Sequence, residues 1–160
     1  SPFSKDELAR ARGQKVHELT ALDDVESLDL RKVPVRLRGY IRAWRSYRRD
    51  SGFIPELVEH RVDSVEYGYA GTLDRYGIRW VKQAPIWGVL DIKTGATPPY
   101  VRLQLTAYAE ALRPRVIPER IAVSLKSDGT YNAKIYPINN YFVDRAEWLT
   151  LVEKFKGEKK

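Results

Sequence analysis

The sequence predicts an α/β protein, and three features predict it. Apolar residues recur at three- and four-residue spacing before residue 52, at two-residue spacing in runs after residue 56, and at helical spacing again in two later segments. The predicted order is therefore helices, three strands, a helix, two strands and a helix, in one domain of 160 residues. Within it, 1–53 reads as an N-terminal helical part, 54–138 as a mixed sheet core and 139–160 as a C-terminal helix.

The first predicted helix covers 5–22, with Leu8, Ala11, Val16, Leu19 and Leu22 among polar neighbours. Pro34 suits the first turn of a second helix, where its missing N–H is not needed. There Leu37, Tyr40, Ile41, Trp44 and Tyr47 make an apolar stripe, Arg38, Arg42, Arg45 and Arg49 make another turned away from it, and Gly52 and Pro55 end it. Strands are expected over 57–62, 69–76 and 87–94, the third being central because it is nearly all apolar. Thr97 is the expected N-cap, and Pro98 a first-turn residue, of a helix reaching about residue 112, before Pro114. Strands over 120–126 and 131–138 follow, joined through Asp128-Gly129, which favours a hairpin. A helix over 143–155 closes the order.

Composition removes several classes of function. With 43% apolar and 31% charged residues, the chain reads as globular rather than disordered. No apolar run approaches the roughly 20 residues of a membrane span, and Ser1-Pro2-Phe3-Ser4-Lys5 does not lead into a signal-peptide stretch. An intracellular protein without membrane partners is expected. With no Cys, disulfides, zinc-thiolate sites and iron–sulfur clusters are excluded. The net charge is +7, and eight basic residues without an acid lie in 31–49; elsewhere 20 basic residues face 21 acidic ones, a sum of −1. The excess is local.

The residues able to carry chemistry begin with Asp91-Ile92-Lys93. Strand alternation puts Asp91 and Lys93 on one face and Leu90 and Ile92 on the other. The pair suits a metal ligand beside a charge-stabilising group, and equally a structural ion pair. Asp74 lies on the preceding strand, the expected antiparallel partner, where it either converges with Asp91 around a cation or pairs with Arg75 or caps a turn. Gln104 and Tyr108, four apart, share one face of the next helix. His17 is one of two histidines. The other, His60, is expected with Val58 and Val62 on the structural face of its strand.

Together, Gly13-x-x-x-His17, Gly71-x-x-Asp74, Asp91-x-Lys93-Thr94-Gly95 and Gln104-x-x-x-Tyr108 resemble the motifs of the PD-(D/E)XK nuclease superfamily, in its RecB-type and phage-exonuclease-like branch. The resemblance runs from about residue 13 to 110 and implies a restriction-endonuclease-like core behind N-terminal helices. It implies a Mg2+- or Mn2+-dependent site, with His17, Asp74, Asp91 and the main-chain carbonyl of Ile92 as ligands and Lys93 positioning water or stabilising the transition state. Gln104 and Tyr108 would touch the substrate backbone. Glu59 matches an acidic position of lambda-type exonucleases, and otherwise reads as a solvated residue opposite Arg61. Lacking Cys, the chain resembles members without an iron–sulfur cluster.

The expected activity is a deoxyribonuclease, an exonuclease trimming DNA ends in recombination, repair or phage DNA metabolism in the cytoplasm of a bacterial or phage-infected cell. Its alternatives are a structure-specific or single-strand endonuclease of the same fold and a non-catalytic nucleic-acid-binding module. DNA is the expected partner, a recombination or replication protein a candidate one, and the oligomeric state stays open. Arg38, Arg42, Arg45 and Arg49 are expected to form a substrate-binding wall, because arginine pairs bidentately with phosphate.

Overall fold

The computed structural model describes residues 2–158. Helix α1 (Lys5–Glu26) starts in a capping box, Ser4 Oγ accepting from Glu7 N at 3.1 Å and Glu7 Oε2 from Ser4 N at 2.8 Å. Helix α2 (Val35–Ser51) follows a short 3-10 turn at Leu30–Lys32 and ends at Gly52, whose φ of 70° is left-handed. Strands β1 (Ile54–Ser64), β2 (Tyr69–Val81) and β3 (Ala84–Lys93) form an antiparallel meander. Helix α3 (Val101–Leu112) then crosses to β4 (Glu119–Leu125), parallel to β3, and β5 (Tyr131–Tyr136) pairs back on β4. Helix α4 (Tyr141–Glu158) ends the described chain. The sheet order is β1-β2-β3-β4-β5, so β3 is central as its apolar run requires.

Two cores flank this sheet. On one face Val16 and Leu19 of α1 and Leu37, Ile41 and Trp44 of α2 pack on Leu90, Ile92, Ile121 and Val123. On the other, Leu105 and Ala109 of α3 pack with Val62, Leu73, Val89 and Ala122. Leu90 and Ile92 thus face one layer and Val89 the other, and alternation puts Asp91 and Lys93 on the α3 face. Among the described residues no helix is long and apolar enough to cross a membrane.

Several boundaries differ from expectation for identifiable reasons. Helix α1 continues to Glu26 because Asp23 and Asp24 point inward to arginines rather than stopping the helix at Leu22. Helix α3 starts at Val101, with no side-chain cap from Thr97. Consecutive Pro98 and Pro99 bias Thr97 and Pro98 away from helical backbone, which delays the start. Pro34 precedes α2 as its N-cap rather than standing in its first turn, and Pro55 falls inside edge strand β1, where a missing N–H is tolerated. Strands β2 and β3 run on to a two-residue turn at Lys82 and Gln83, with φ of 48° and 68°; without Gly or Asn there, the hairpin had no local signal. Unbroken register from His60↔Leu73 to Val62↔Gly71 keeps His60 on the face of Val62, but His60 is exposed there while Val62 is buried, so it is not the packed residue expected.

Close packing ties α2 to the β4–β5 turn. A Cβ on Gly39 would stand 1.7 Å from Ser127 O. Gly39→Ala must push the helix off the hairpin and is expected to destabilise the protein by about 1–3 kcal/mol. Urea unfolding checks this, and an unchanged midpoint contradicts it.

Candidate active site

Pairing between β2 and β3 runs from Val81↔Ala84 to Arg75↔Leu90, and beyond that pair the strands part. Asp74 bridges the opening with its side chain, Oδ2 accepting from Ile92 N at 2.7 Å. Glu59 lies between the β1–β2 pairs Val58↔Arg75 and His60↔Leu73 with a left-handed φ of 47°. That backbone costs a non-glycine residue about 1–2 kcal/mol and persists only where surroundings hold it. Here they do: Arg75 Nη1 donates to Glu59 Oε1 at 3.0 Å.

Helix α1 supplies His17 at this opening. Its Nε2 is 2.8 Å from Ile92 O, an acceptor only, so Nε2 carries hydrogen. Its Nδ1 faces Asp74 Oδ1 at 3.3 Å and Glu59 Oε1 at 3.5 Å. Burial works against a charge on this ring, but Asp74 and Glu59 outweigh it and raise the pKa to about 10. The ring is an imidazolium at neutral pH.

Asp91 is buried on the next strand. Its Oδ2 accepts no hydrogen bond and has Lys93 Nζ at 3.4 Å. Burial first, then the charge of Asp74, lift its pKa to about 7 against the opposing pull of Lys93 and His17. Crowded carboxylates with a lifted pKa mark a place where a cation would be stabilised.

Among the described residues, His17, Glu59 and Asp74 present ligand atoms all within 4.8 Å of one another, a candidate metal site. The donor set of two carboxylates and an imidazole fits a divalent cation taking the place of the His17 proton. Glu59 is therefore no solvated strand residue, and Asp74 does not use its carboxylate on Arg75. Asp91 and the Ile92 carbonyl, expected as ligands, stand outside this three-residue group: Asp91 faces Lys93, and Ile92 O holds the His17 ring from behind. That contact fixes which imidazole nitrogen faces the acids.

Gln104 and Tyr108 also arrive here. Gln104 Nε2 donates to Tyr108 OH at 3.0 Å, and Gln104 Oε1 is buried without a donor. A Cβ on Gly71 would meet Tyr108 Cε1 at 2.9 Å, so the glycine of Gly-x-x-Asp admits the tyrosine ring. Burial raises the Tyr108 pKa, with Asp74, Asp91 and Glu59 adding to it. Gly13 is different: a Cβ there meets only Thr94 Oγ1 at 3.5 Å, an ordinary contact.

The arginine wall is not built as expected. Arg45 Nη2 pairs with fully buried Asp23 at 2.6 Å, and Arg38 Nε donates to Val33 O at 2.9 Å. Arg49 pairs with Asp50 at 3.3 Å, leaving Arg42 exposed without an ion pair among the described residues. Periodicity gave the arginines their common face; it did not show that Asp23 of α1 sits against it.

Arg75 is the residue of this candidate site whose partners the sequence did not reveal. It is 0% exposed, lies over the Trp44 ring at 5.2 Å, and donates to Asp24 Oδ2 at 2.6 Å and Asp74 O at 2.6 Å besides Glu59. Trp44 Nε1 and Arg48 Nη1 reach Asp24 Oδ1 at 2.8 and 3.0 Å. Its only local signal was an acidic pair, Asp23-Asp24, on an otherwise amphipathic helix.

Arg75→Leu leaves Asp24 and Glu59 without their buried cation and is expected to cost about 3–5 kcal/mol, measured by chemical unfolding; a loss under 1 kcal/mol contradicts the network's role. A cation bound through His17 Nδ1 must displace its proton. Calorimetry of Mn2+ binding at pH 7 in buffers of different ionisation enthalpy should therefore show about one proton released, with apparent affinity rising with pH toward 10. No release contradicts ligation by His17.

Compared with known proteins, the chain matches no family model, and no curated protein matches it. The reading of the site rests on its residues and geometry.

Proposed function

We propose that the chain is a metal-dependent deoxyribonuclease of the restriction-endonuclease-like type, an exonuclease that hydrolyses phosphodiester bonds at DNA ends. The observation that carries this is the meeting of His17, Glu59 and Asp74 at the opening between β2 and β3, with the Asp91–Lys93 pair on the next strand. The element order of helix, three-stranded meander, crossover helix and parallel strand also supports the reading.

Hydrolysis of a phosphodiester needs an activated water and stabilisation of charge on the phosphoryl oxygens. A bound Mg2+ or Mn2+ supplies both, carboxylates suiting either ion and the histidine favouring Mn2+. Glu59 and Asp74 offer oxygen ligands, and His17 offers Nδ1 while its Nε2 stays on the Ile92 carbonyl. Lys93, 25% exposed in its side chain, holds an ammonium beside Asp91 for the charge that develops on the phosphoryl group. Asp91, with its lifted pKa, is placed to complete the ligand set or to accept a proton from water. Gln104 and Tyr108 border the site with hydrogen-bonding groups suited to the sugar–phosphate backbone.

Asp91→Ala and Lys93→Ala are each expected to reduce metal-dependent cleavage of end-labelled linear DNA by roughly a hundred- to thousandfold, with folding retained. Unchanged cleavage by both variants contradicts the assignment. Covalently closed single-stranded circles separate the two modes of cutting: an exonuclease leaves them intact, and an endonuclease opens them.

A further inference from the structure

Of the α2 stripe only Arg42 is left exposed without a partner among the described residues, so most of the usable positive charge lies elsewhere. At the carboxyl ends of the parallel strands β3 and β4 a cleft of about 620 Å³ is lined by Tyr40, Thr94, Ser124, Lys126, Asn132 and Lys134, among others. A second groove, between α1 and α2, carries Arg12, Lys15 and Arg36 and shares Tyr40 with the first. Neither lining includes an Asp or Glu. Among the described residues Lys126, Lys134, Arg12 and Arg36 make no ion pair, whereas Arg45 is paired with Asp23 and Arg48 with Asp23 and Asp24. Lys134 and Arg12 instead lie over tyrosine rings, at 5.0 Å from the centre of Tyr136 and 5.9 Å from that of Tyr40. The side-chain hydroxyl of Tyr40 and amide of Asn132 have no hydrogen bond among the described residues, so both are free for an acceptor or donor in the cleft.

Register connects this cleft to the site. Asp91 pairs with Ala122 and Ala122 with Lys134; Lys93 pairs with Ser124 and Ser124 with Asn132. Lys134 and Asn132 are thus two strands away from Asp91 and Lys93 in the same rows, about 10 Å at ordinary strand spacing. Thr94 and Gly95 follow Lys93 directly into the cleft lining. An acid-free cleft with uncommitted lysines, one short step from a candidate phosphodiesterase site, is suited to a polyanion. Its volume is that of a site that takes nucleotide-sized groups, which suits a single strand entering it.

We propose that this cleft is the track of a single nucleic-acid strand leading into the site, with Lys126 and Lys134 on its phosphates and the Arg12/Arg36 groove continuing the track past Tyr40. The proposal rests on the nuclease reading and deepens it to a single-stranded substrate end.

The test is fluorescence anisotropy of a labelled single-stranded oligodeoxynucleotide and of a blunt hairpin duplex across a salt series, in chelator so that nothing is cut. Lys126→Ala with Lys134→Ala should weaken single-strand binding on the order of tenfold and lower the log–log salt slope by about 1.4, or 0.7 for each lost phosphate contact. Lys126→Arg with Lys134→Arg should keep the slope, and so should Arg115→Ala with Lys154→Ala, exposed cations outside both grooves; circular dichroism checks folding. An unchanged slope in the double-alanine variant, while wild type still cleaves DNA with metal, overturns the track and leaves the nuclease standing. Tighter binding of the duplex than of the single strand overturns the single-strand assignment. Wild-type protein that neither binds nor cleaves overturns the nuclease reading and the track with it.

Discussion

A guanidinium with no access to solvent holds the candidate site of this structure together. Arg75 lies against Trp44, reaches back to Asp24 on α1 and forward to Glu59 on β1, and takes the carbonyl of Asp74. A buried charge left alone would cost several kcal/mol, so its position dictates where its partners must be. Asp24 must face inward, which extends α1 past Leu22 and brings Thr20 and His17 over the sheet. Glu59 must turn toward it, at the expense of a left-handed backbone. Arg75 therefore couples the helical layer to the opening between β2 and β3.

The charges at that opening balance in a particular way. Glu59, Asp74 and Asp91 are the acids; Arg75, the His17 imidazolium and Lys93 are the cations around them. Arg75 is fixed by burial, and Lys93 is tied to its strand two residues from Asp91. The removable charge is the His17 proton, held between two carboxylates. A site that exchanges one proton for a divalent cation gains a unit of positive charge where phosphoryl oxygens would gather, which is the condition for hydrolysing a phosphodiester. The same arrangement explains the distribution of arginine. Arg45 and Arg48 are occupied with Asp23, so charge for the proposed substrate would come from other places on the surface.

Much of the layout was legible in the sequence because it rests on local patterns. The helix stripes, the apolar run of β3 and the Asp-Gly turn each report a short-range preference, and the two-residue alternation placed Asp91 beside Lys93. The convergence of His17 and Asp74 was legible only through the resemblance to the nuclease motifs. What escaped has a common cause: it depends on contacts distant in sequence. Arg75 followed Asp74 and read as its partner, yet its main carboxylates are 51 and 16 residues away. The arginines of α2 read as a free substrate-binding face, because no local pattern reveals that Asp23 and Asp24 of α1 pair with Arg45 and Arg48. Thr97 has the residue type of a cap, but the paired prolines after it bias its backbone away from the helix, so α3 starts at Val101.

The account's central claim is that the proton between Glu59 and Asp74 marks the seat of a catalytic cation. Crystals soaked in Mn2+ and measured at the manganese absorption edge test it most directly. The account predicts an anomalous peak bonded to His17 Nδ1, Glu59 and Asp74, beside Asp91. A peak elsewhere, or none at a concentration that supports DNA cleavage, would contradict it.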